Sequence, residues 1–155
     1  MSSGEIHYKY YMRGYREAIP LSIVFSFVSW KFGAGYISGY SLHRYVDNDW
    51  DLMGTSKSEG RMVNELPLLG HYLFGVSSMY GSAFRKWHRS IPTHVPVIST
   101  LGRLIVVFIA PFTYLDAWGI NFIGNGWVWY WLGLWAGLSH ADGIHYYLDL
   151  FPRTS

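Results

Sequence analysis

The sequence predicts an all-α fold: an integral membrane bundle of about four main helices plus a short interfacial helix, with a metal site at one end. Three observations support this prediction: four apolar regions, many aromatic residues, and histidines and aspartates near the ends of those regions. Aromatic residues make up 19% of the 155 residues and charged residues only 14%, against about 25% charged in a typical soluble domain. We therefore expect one membrane-associated domain over residues 1–155.

Charge and cysteine content exclude several classes of protein and site. The net charge is only +2, so no basic patch indicates nucleic-acid binding. The chain has no cysteine, which excludes disulfides and thiolate metal ligands and leaves His, Asp and Glu to hold a metal. The first 20 residues lack the apolar core and cleavage site of a signal peptide.

The first apolar region, Ala18–Leu42, allows two interpretations. It could form one membrane span of 25 residues. Alternatively, the turn-like stretch "WKFGAG" at Trp30–Gly35 divides it into a hairpin, with helices at about Tyr10–Ser29 and Tyr36–Val46. The choice decides on which side of a membrane the flanking polar residues lie.

Three more apolar regions follow. The second, Leu66–Phe84, contains His71 and three glycines, which favours an interfacial or partly buried helix. The third and fourth, Pro96–Trp118 and Gly126–Phe151, exceed the roughly 20 residues that a membrane span needs. The hydrophilic segment Asp47–Glu65 is predicted to be a loop of a length that often carries function.

Histidines lie at two of these boundaries. His88 and His94 flank a proline on a predicted loop, just before a helix that should begin at a first-turn proline. His145 and Asp149 are four residues apart in the last region, which places both on one helix face about 6 Å apart along the axis. Each pair could therefore contribute ligands to a metal site.

Two further elements add potential ligands. The stretch "DNDWD" offers Asp47, Asp49 and Asp51 at alternating positions, which a loop can turn toward one cation. His7 lies just before the first helix. Histidine and carboxylate ligands together suit a divalent ion, with Zn favoured and Mn or Fe as alternatives.

The hairpin interpretation brings these elements to one side of a membrane. A single span would separate His7 from "DNDWD", whereas a hairpin returns both to the same side. If the second region lies along the interface, the loop with His88 and the end of the fourth region with His145 reach that side too. Helical bundles build histidine and carboxylate metal sites in this way.

Basic residues indicate which side this is. The turn at residues 116–125 contains no Lys or Arg, and Lys31 is the one cation of the proposed outer turn. The positive-inside rule therefore predicts the cell membrane with the metal site on its cytoplasmic side. The basic residues on the ligand side are Lys9, Arg13, Arg16, Arg85, Lys86, Arg89 and Arg153.

Four motifs resemble those of a known family. They are "SSGEIH", "YVDNDWD", "HRSIPTHVPVISTLGR" from His88 to Arg103, and "GIHYYLD". Their order and approximate spacing over most of the chain resemble the YdjM-like inner-membrane metal-dependent hydrolases, above all their metal-binding relatives common in cyanobacteria. The third motif is the most specific. The acidic motif is the least specific, because the family has a proline before the acids and this chain does not.

The residues and the resemblance together single out a set of metal ligands. In the acidic motif we favour the first two aspartates, with Asp51 as an alternative. In the last helix, His140 with Asp142 is an alternative register to His145 with Asp149. The expected ligands are His7, Asp47, Asp49, His88, His94, His145 and Asp149.

The expected function is a membrane-embedded hydrolase in which a metal-activated water attacks an ester or phosphoester. The substrate would be small or lipid-linked, and membrane lipid is an expected partner. Asp49 could act as the base, and Arg89 or Arg103 could stabilise an anionic substrate or transition state. For Arg103, a role in helix packing is equally compatible with the sequence.

A second hypothesis is a non-catalytic metal-binding membrane subunit. Its aromatic and glycine-rich helices would then pack against protein partners. An open coordination position beside a reachable pocket would favour the hydrolase, and a fully ligated ion would favour the subunit. A small transporter is a weaker third option, since ligands at one end of four short helices do not suggest a path through a membrane.

Overall fold

The computed structural model describes residues 3–46, 63–84, 95–119 and 126–150, and only the backbone of residues 3–7, 84, 109, 110, 113 and 149. Helix accounts for 90% of the described residues and none of them lies in a strand, which confirms the all-α class. Within these residues, no helix has both the length and the apolar sequence that crossing a membrane requires. The helices are α1 Ser3–Val28, α2 Trp30–Leu42, α3 Pro67–Phe84, α4 Pro96–Ala117 and α5 Val128–Leu150.

The chain divides into two compact units. Unit 1 comprises Met1–Leu42 and Ile123–Ser155 and contains α1, α2 and α5. Unit 2 comprises His43–Phe122 and contains α3 and α4. The expectation of a single domain over residues 1–155 stays a prediction.

The first apolar region forms the predicted hairpin, but its turn lies elsewhere. The helix is interrupted at Ser29, and the stretch Trp30–Gly35, predicted to be the turn, belongs to α2. Its glycines serve close helix contact instead: a Cβ on Gly33 would collide with the carbonyl of Ser22 in α1. The helix α1 also begins at Ser3, about two turns before the predicted start at Tyr10.

Paired glycines let α2 and α5 touch through their main chains. Each helix carries two glycines four residues apart at the contact, and the residue numbers of the contacting partners rise together, so the helices run parallel. Only glycine permits such an approach, as in the small-residue motifs of membrane helices. A Cβ on Gly35, Gly39, Gly133 or Gly137 would collide with the carbonyl oxygen of Tyr130, Leu134, Phe32 or Tyr36, respectively.

A tyrosine cluster joins α1 to the end of α2. The Tyr11 and Tyr40 rings stack with centroids 5.3 Å apart. The Tyr40 hydroxyl donates to the Tyr11 carbonyl at 2.8 Å, and the Tyr11 hydroxyl donates to the Tyr40 carbonyl at 3.1 Å. The Tyr15 hydroxyl donates to Ser41 Oγ at 2.9 Å. Together with the contact of Gly33 with Ser22, these bonds show that α1 and α2 run antiparallel, because the residue numbers of the contacting partners change in opposite directions.

Unit 2 is held by side chains between α3 and α4. Leu73 and Tyr80 of α3 and Leu104 and Val107 of α4 are buried. The Tyr72 hydroxyl donates to the Val107 carbonyl at 2.5 Å. The start of α4 at a first-turn proline is confirmed, as is its predicted length to within one residue.

Candidate metal centre and adjoining pocket

One face of α5 carries the candidate metal ligands that the structure describes. Asp142 is fully buried and His145 is 7% exposed, and their spacing of three residues places them on the same face. Asp149 follows four residues later on that face. His140 lies on the opposite face, because two residues advance a helix by about 200°. The two predicted ligand pairs, His140 with Asp142 and His145 with Asp149, are therefore regrouped. Asp142 lies on the same face as His145 and Asp149, and His140 does not.

His140 takes part in a separate hydrogen bond. Its Nδ1 lies 2.6 Å from the Tyr36 hydroxyl. Burial lowers the pKa of His140, and the carboxylate of Glu17 partly offsets this effect. Burial, with a smaller effect of Glu17, raises the pKa of Tyr36. The hydrogen bond joins the Tyr36 oxygen to Nδ1, and the tautomer of the imidazole sets which of the two atoms donates.

A pocket of about 590 Å³ opens between α1 and α5. His140 lines it, so the pocket lies on the face of α5 opposite Asp142 and His145. Its position also shows that the start of α1 and the end of α5 meet at one end of unit 1, the end that includes His7. The lining residues are Tyr10, Arg13, Gly14, Glu17, His140, Gly143, Ile144, Tyr147 and Leu148.

Arg103, a predicted catalytic residue, is fully buried in unit 2. Its Nη1 donates to the carbonyl of Val46 at 2.7 Å, and its Nε donates to the carbonyl of Ser99 at 3.3 Å. Val46 directly precedes Asp47, so the guanidinium anchors the main chain where the acidic motif begins. These bonds describe the packing role that the sequence allowed, and contact with a substrate stays a prediction.

A second anchor lies beside this point. Arg44 Nη2 donates to Glu65 Oε1 at 2.7 Å, and the Tyr45 hydroxyl donates to Glu65 Oε2 at 2.9 Å. One carboxylate therefore joins the residues before the segment 47–62 to the residues that follow it. No motif in the sequence predicted these bonds, although Glu65 is the acidic residue at the end of the predicted loop.

Most predicted site residues fall where the structure gives no side chain. For His7 and Asp149 it describes only the helical backbone. Of the His, Asp and Glu side chains that it does describe, no three lie close enough to hold a metal ion. The residues outside the described ranges are Asp47, Asp49, Asp51, His88, Arg89 and His94.

Comparisons of the chain with protein-family models, curated proteins and solved structures found no match.

Proposed function

We propose that this chain is a membrane-associated hydrolase that uses a divalent metal, Zn or else Mn or Fe, to cleave an ester or phosphoester of a small or lipid-linked substrate. The observation that carries the proposal is the buried pair of Asp142 and His145 on one face of α5, with Asp149 next in register. Carboxylates are rarely buried unless they are paired or bind metals. A buried carboxylate and imidazole without any thiolate suit these ions.

The resemblance to the YdjM-like motifs supports the rest of the ligand set. His7 lies at the same end of unit 1 as the end of α5, and the acidic and histidine motifs would supply the other ligands: Asp47, Asp49, His88 and His94. A divalent ion held by such ligands supplies a water that is ionised near neutral pH. Asp49 would accept the proton of that water.

Two arginines would act differently on the reaction. Arg89, beside His88, would bind an anionic substrate group through its forked guanidinium. Arg103 would act as a positioning residue, because it holds Val46 next to the acidic motif.

Exposed apolar side chains support association with a membrane. The end of α1 carries large hydrophobic residues that are mostly solvent-accessible, including Phe27 at 88% and Val28 at 75%. Neighbouring Ile23 and Val24 are each 57% exposed. Contiguous exposed apolar surface of this kind typically marks a membrane or protein contact.

Metal analysis of the purified full chain tests this proposal. We expect a bound divalent metal in the wild type and its loss from the His145→Ala and His94→Ala variants. His71→Ala is the matched control, because His71 is exposed and bonds only the Pro67 carbonyl of its own helix among the described residues. A wild type that holds no metal and keeps its thermal midpoint in EDTA would overturn the proposal.

A hydrolysis assay separates catalysis from metal binding alone. The metal-loaded chain should cleave a chromogenic ester or phosphoester, and Arg89→Gln should slow cleavage while retaining the metal, because Arg89 is proposed to bind the substrate and not the ion. Stoichiometric metal without cleavage of either substrate class would instead indicate a metal-binding accessory subunit. The glycines of α2 and α5 are already covered by each other, so such a subunit would need another surface for its partner.

A further inference from the structure

The pocket between α1 and α5 is a groove between two antiparallel helices. The helix α1 runs antiparallel to α2, and α2 runs parallel to α5, so α1 and α5 run in opposite directions. Gly14 and Ile144 mark one level at which they meet, because a Cβ on Gly14 would lie 2.8 Å from Ile144 Cδ1. The lining residues recur every three or four positions in both helices, so each helix lines the groove with one face.

The α1 wall of the groove carries one positive and one negative group. Arg13 and Glu17 lie four residues apart on the lining face, which is about 6 Å along the helix axis. Both side chains are exposed, and among the residues that the structure describes neither forms an ion pair. This wall favours a ligand that also carries both charges, because a purely anionic or cationic ligand would lie beside a like charge.

The α5 wall of the groove is mainly apolar and leaves room for a bulky group. Ile144 and Leu148 lie one turn apart on it, and Tyr10 and Tyr147 add aromatic surface to the pocket. A Cβ placed on Gly143 would meet no atom within 4 Å, so the absence of a side chain there keeps this wall open. The volume of about 590 Å³ falls in the usual range for organic ligands, roughly 300–1,000 Å³.

We propose that this pocket binds a free α-amino acid with a large apolar side chain. The carboxylate of the ligand pairs with the Arg13 guanidinium, and its ammonium group pairs with the Glu17 carboxylate. Its side chain packs against Ile144 and Leu148. In an α-amino acid, one carbon carries both charged groups and the side chain, so the charges can face α1 while the side chain faces α5. The site is separate from the proposed metal centre, because it uses the opposite face of α5.

Isothermal titration calorimetry of the full chain measures this binding with four probes. They are phenylalanine, hydrocinnamate, which lacks the ammonium group, phenethylamine, which lacks the carboxylate, and glycine, which lacks the side chain. We expect phenylalanine to bind most tightly, and the loss of either charged group to weaken binding by about fivefold, the scale of an exposed ion pair. Glycine that binds as tightly as phenylalanine would overturn the proposal, as would the absence of saturable phenylalanine binding at millimolar concentrations.

Variants of the two charged residues assign each ligand group to its partner. Arg13→Gln should weaken the binding of phenylalanine and hydrocinnamate by about fivefold but not that of phenethylamine, which has no carboxylate. Glu17→Gln should weaken the binding of phenylalanine and phenethylamine but not that of hydrocinnamate. Arg16→Gln is the matched control, because Arg16 is exposed and carries the same charge but does not line the pocket. Equal losses in Arg13→Gln and Arg16→Gln, or an equal loss for all three ligands in one variant, would overturn the proposal.

Filling the pocket gives a second, independent test. Gly143→Leu should lower phenylalanine binding at least about tenfold while keeping the thermal midpoint, since the added side chain enters open space. Gly75→Leu is its control, because a Cβ there also meets nothing but lies outside the pocket. Metal content should be unchanged in both variants, which separates this test from that of the proposed function. Unchanged phenylalanine binding in a folded Gly143→Leu variant would overturn the proposal.

Discussion

The two units of this chain hold their helices together by different means. In unit 1, α2 and α5 touch through their main chains at paired glycines, and tyrosine hydroxyls bind main-chain carbonyls. In unit 2, a fully buried Arg103 donates to the carbonyl of Val46, and side chains fill the space between α3 and α4. Unit 1 should therefore respond most to added atoms, and unit 2 to removed ones.

Four glycines, two from each unit, differ in the same way: those of unit 1 lie in close helix contacts, and those of unit 2 do not. Gly39 and Gly137 lie against carbonyl oxygens of the neighbouring helix, whereas a Cβ on Gly75 or Gly102 in unit 2 would meet nothing within 4 Å. All four occupy helices. Glycine costs an isolated helix about 1 kcal/mol relative to alanine, so only the first two have a contact that offsets this cost.

The largest effect should follow from adding a methyl group at the glycine contact. Gly39→Ala places a Cβ against the carbonyl of Leu134, which is main chain and has no alternative rotamer. We expect a loss of about 3 kcal/mol, which lowers the thermal midpoint by roughly 6–12 °C for a chain of this size. Circular dichroism of the purified chain measures it.

Gly75→Ala is the control for this change and should raise the midpoint slightly, because it improves helix propensity at a position with open space. Equal midpoints in the two variants would show that α2 and α5 do not approach as closely as the structure describes.

An intermediate effect is expected from removing the buried arginine of unit 2. Arg103→Leu leaves the Val46 carbonyl without its donor, and an unsatisfied buried acceptor costs about 1–3 kcal/mol. The midpoint should fall by roughly 2–12 °C, or about 6 °C for a loss in the middle of that range. Under the proposed function, the variant should also bind its metal more weakly, because Val46 adjoins Asp47.

Arg103→Lys separates the two roles of this residue. It keeps the charge but not the forked geometry that reaches both Val46 and Ser99, so it should recover only part of the stability. Full recovery of stability and metal binding in the lysine variant would show that charge alone matters at this position.

The smallest effect concerns pH and unit 1. Burial lowers the pKa of His140 in the folded chain, so the unfolded chain binds more protons once the pH falls below about 6.5. Stability should therefore decline as the pH falls from about 6.5 toward the lower folded pKa.

His140→Gln should flatten this decline, as measured by thermal midpoints at several pH values between about 5 and 7. His71→Gln is the matched control on an exposed histidine and should leave the decline in place. A wild-type curve that stays parallel to that of His140→Gln would contradict the prediction.

Helix ends were predictable where the sequence contains a local signal. Pro96 predicts the start of α4 because a proline at the first turn lacks only a donor that the helix does not use. The turn at Trp30–Gly35 was predicted wrongly, since glycine serves turns and close helix contacts alike. The spacing of Gly35 with Gly39 and of Gly133 with Gly137 was visible, and it is the signal that could have predicted the contact.

For the candidate site, the sequence predicts which residues share a face of one helix, but not which residues of different helices lie close together. The placement of His145 and Asp149 on one face follows from helix geometry, and Asp142 joins them by the same rule. The pocket was missed because Arg13 and His140 lie far apart in sequence, and one sequence does not show which helices are neighbours. The bond from Arg103 to Val46 was unpredictable for the same reason, although the sequence allowed a packing role.

The parallel contact of α2 with α5 has a consequence for how the chain is synthesised. About 85 residues separate Leu42 from Val128, and nearly all of them belong to unit 2. At a translation rate of roughly 5–20 residues per second, α5 is synthesised several seconds or longer after α2. Until then, the surface of α2 around Gly35 and Gly39 has no helix packed against it. Unit 2 can fold in that interval, whereas unit 1 stays incomplete until α5 has been made. During that time, a chaperone would bind at this exposed surface of α2, or another helix would pack there incorrectly.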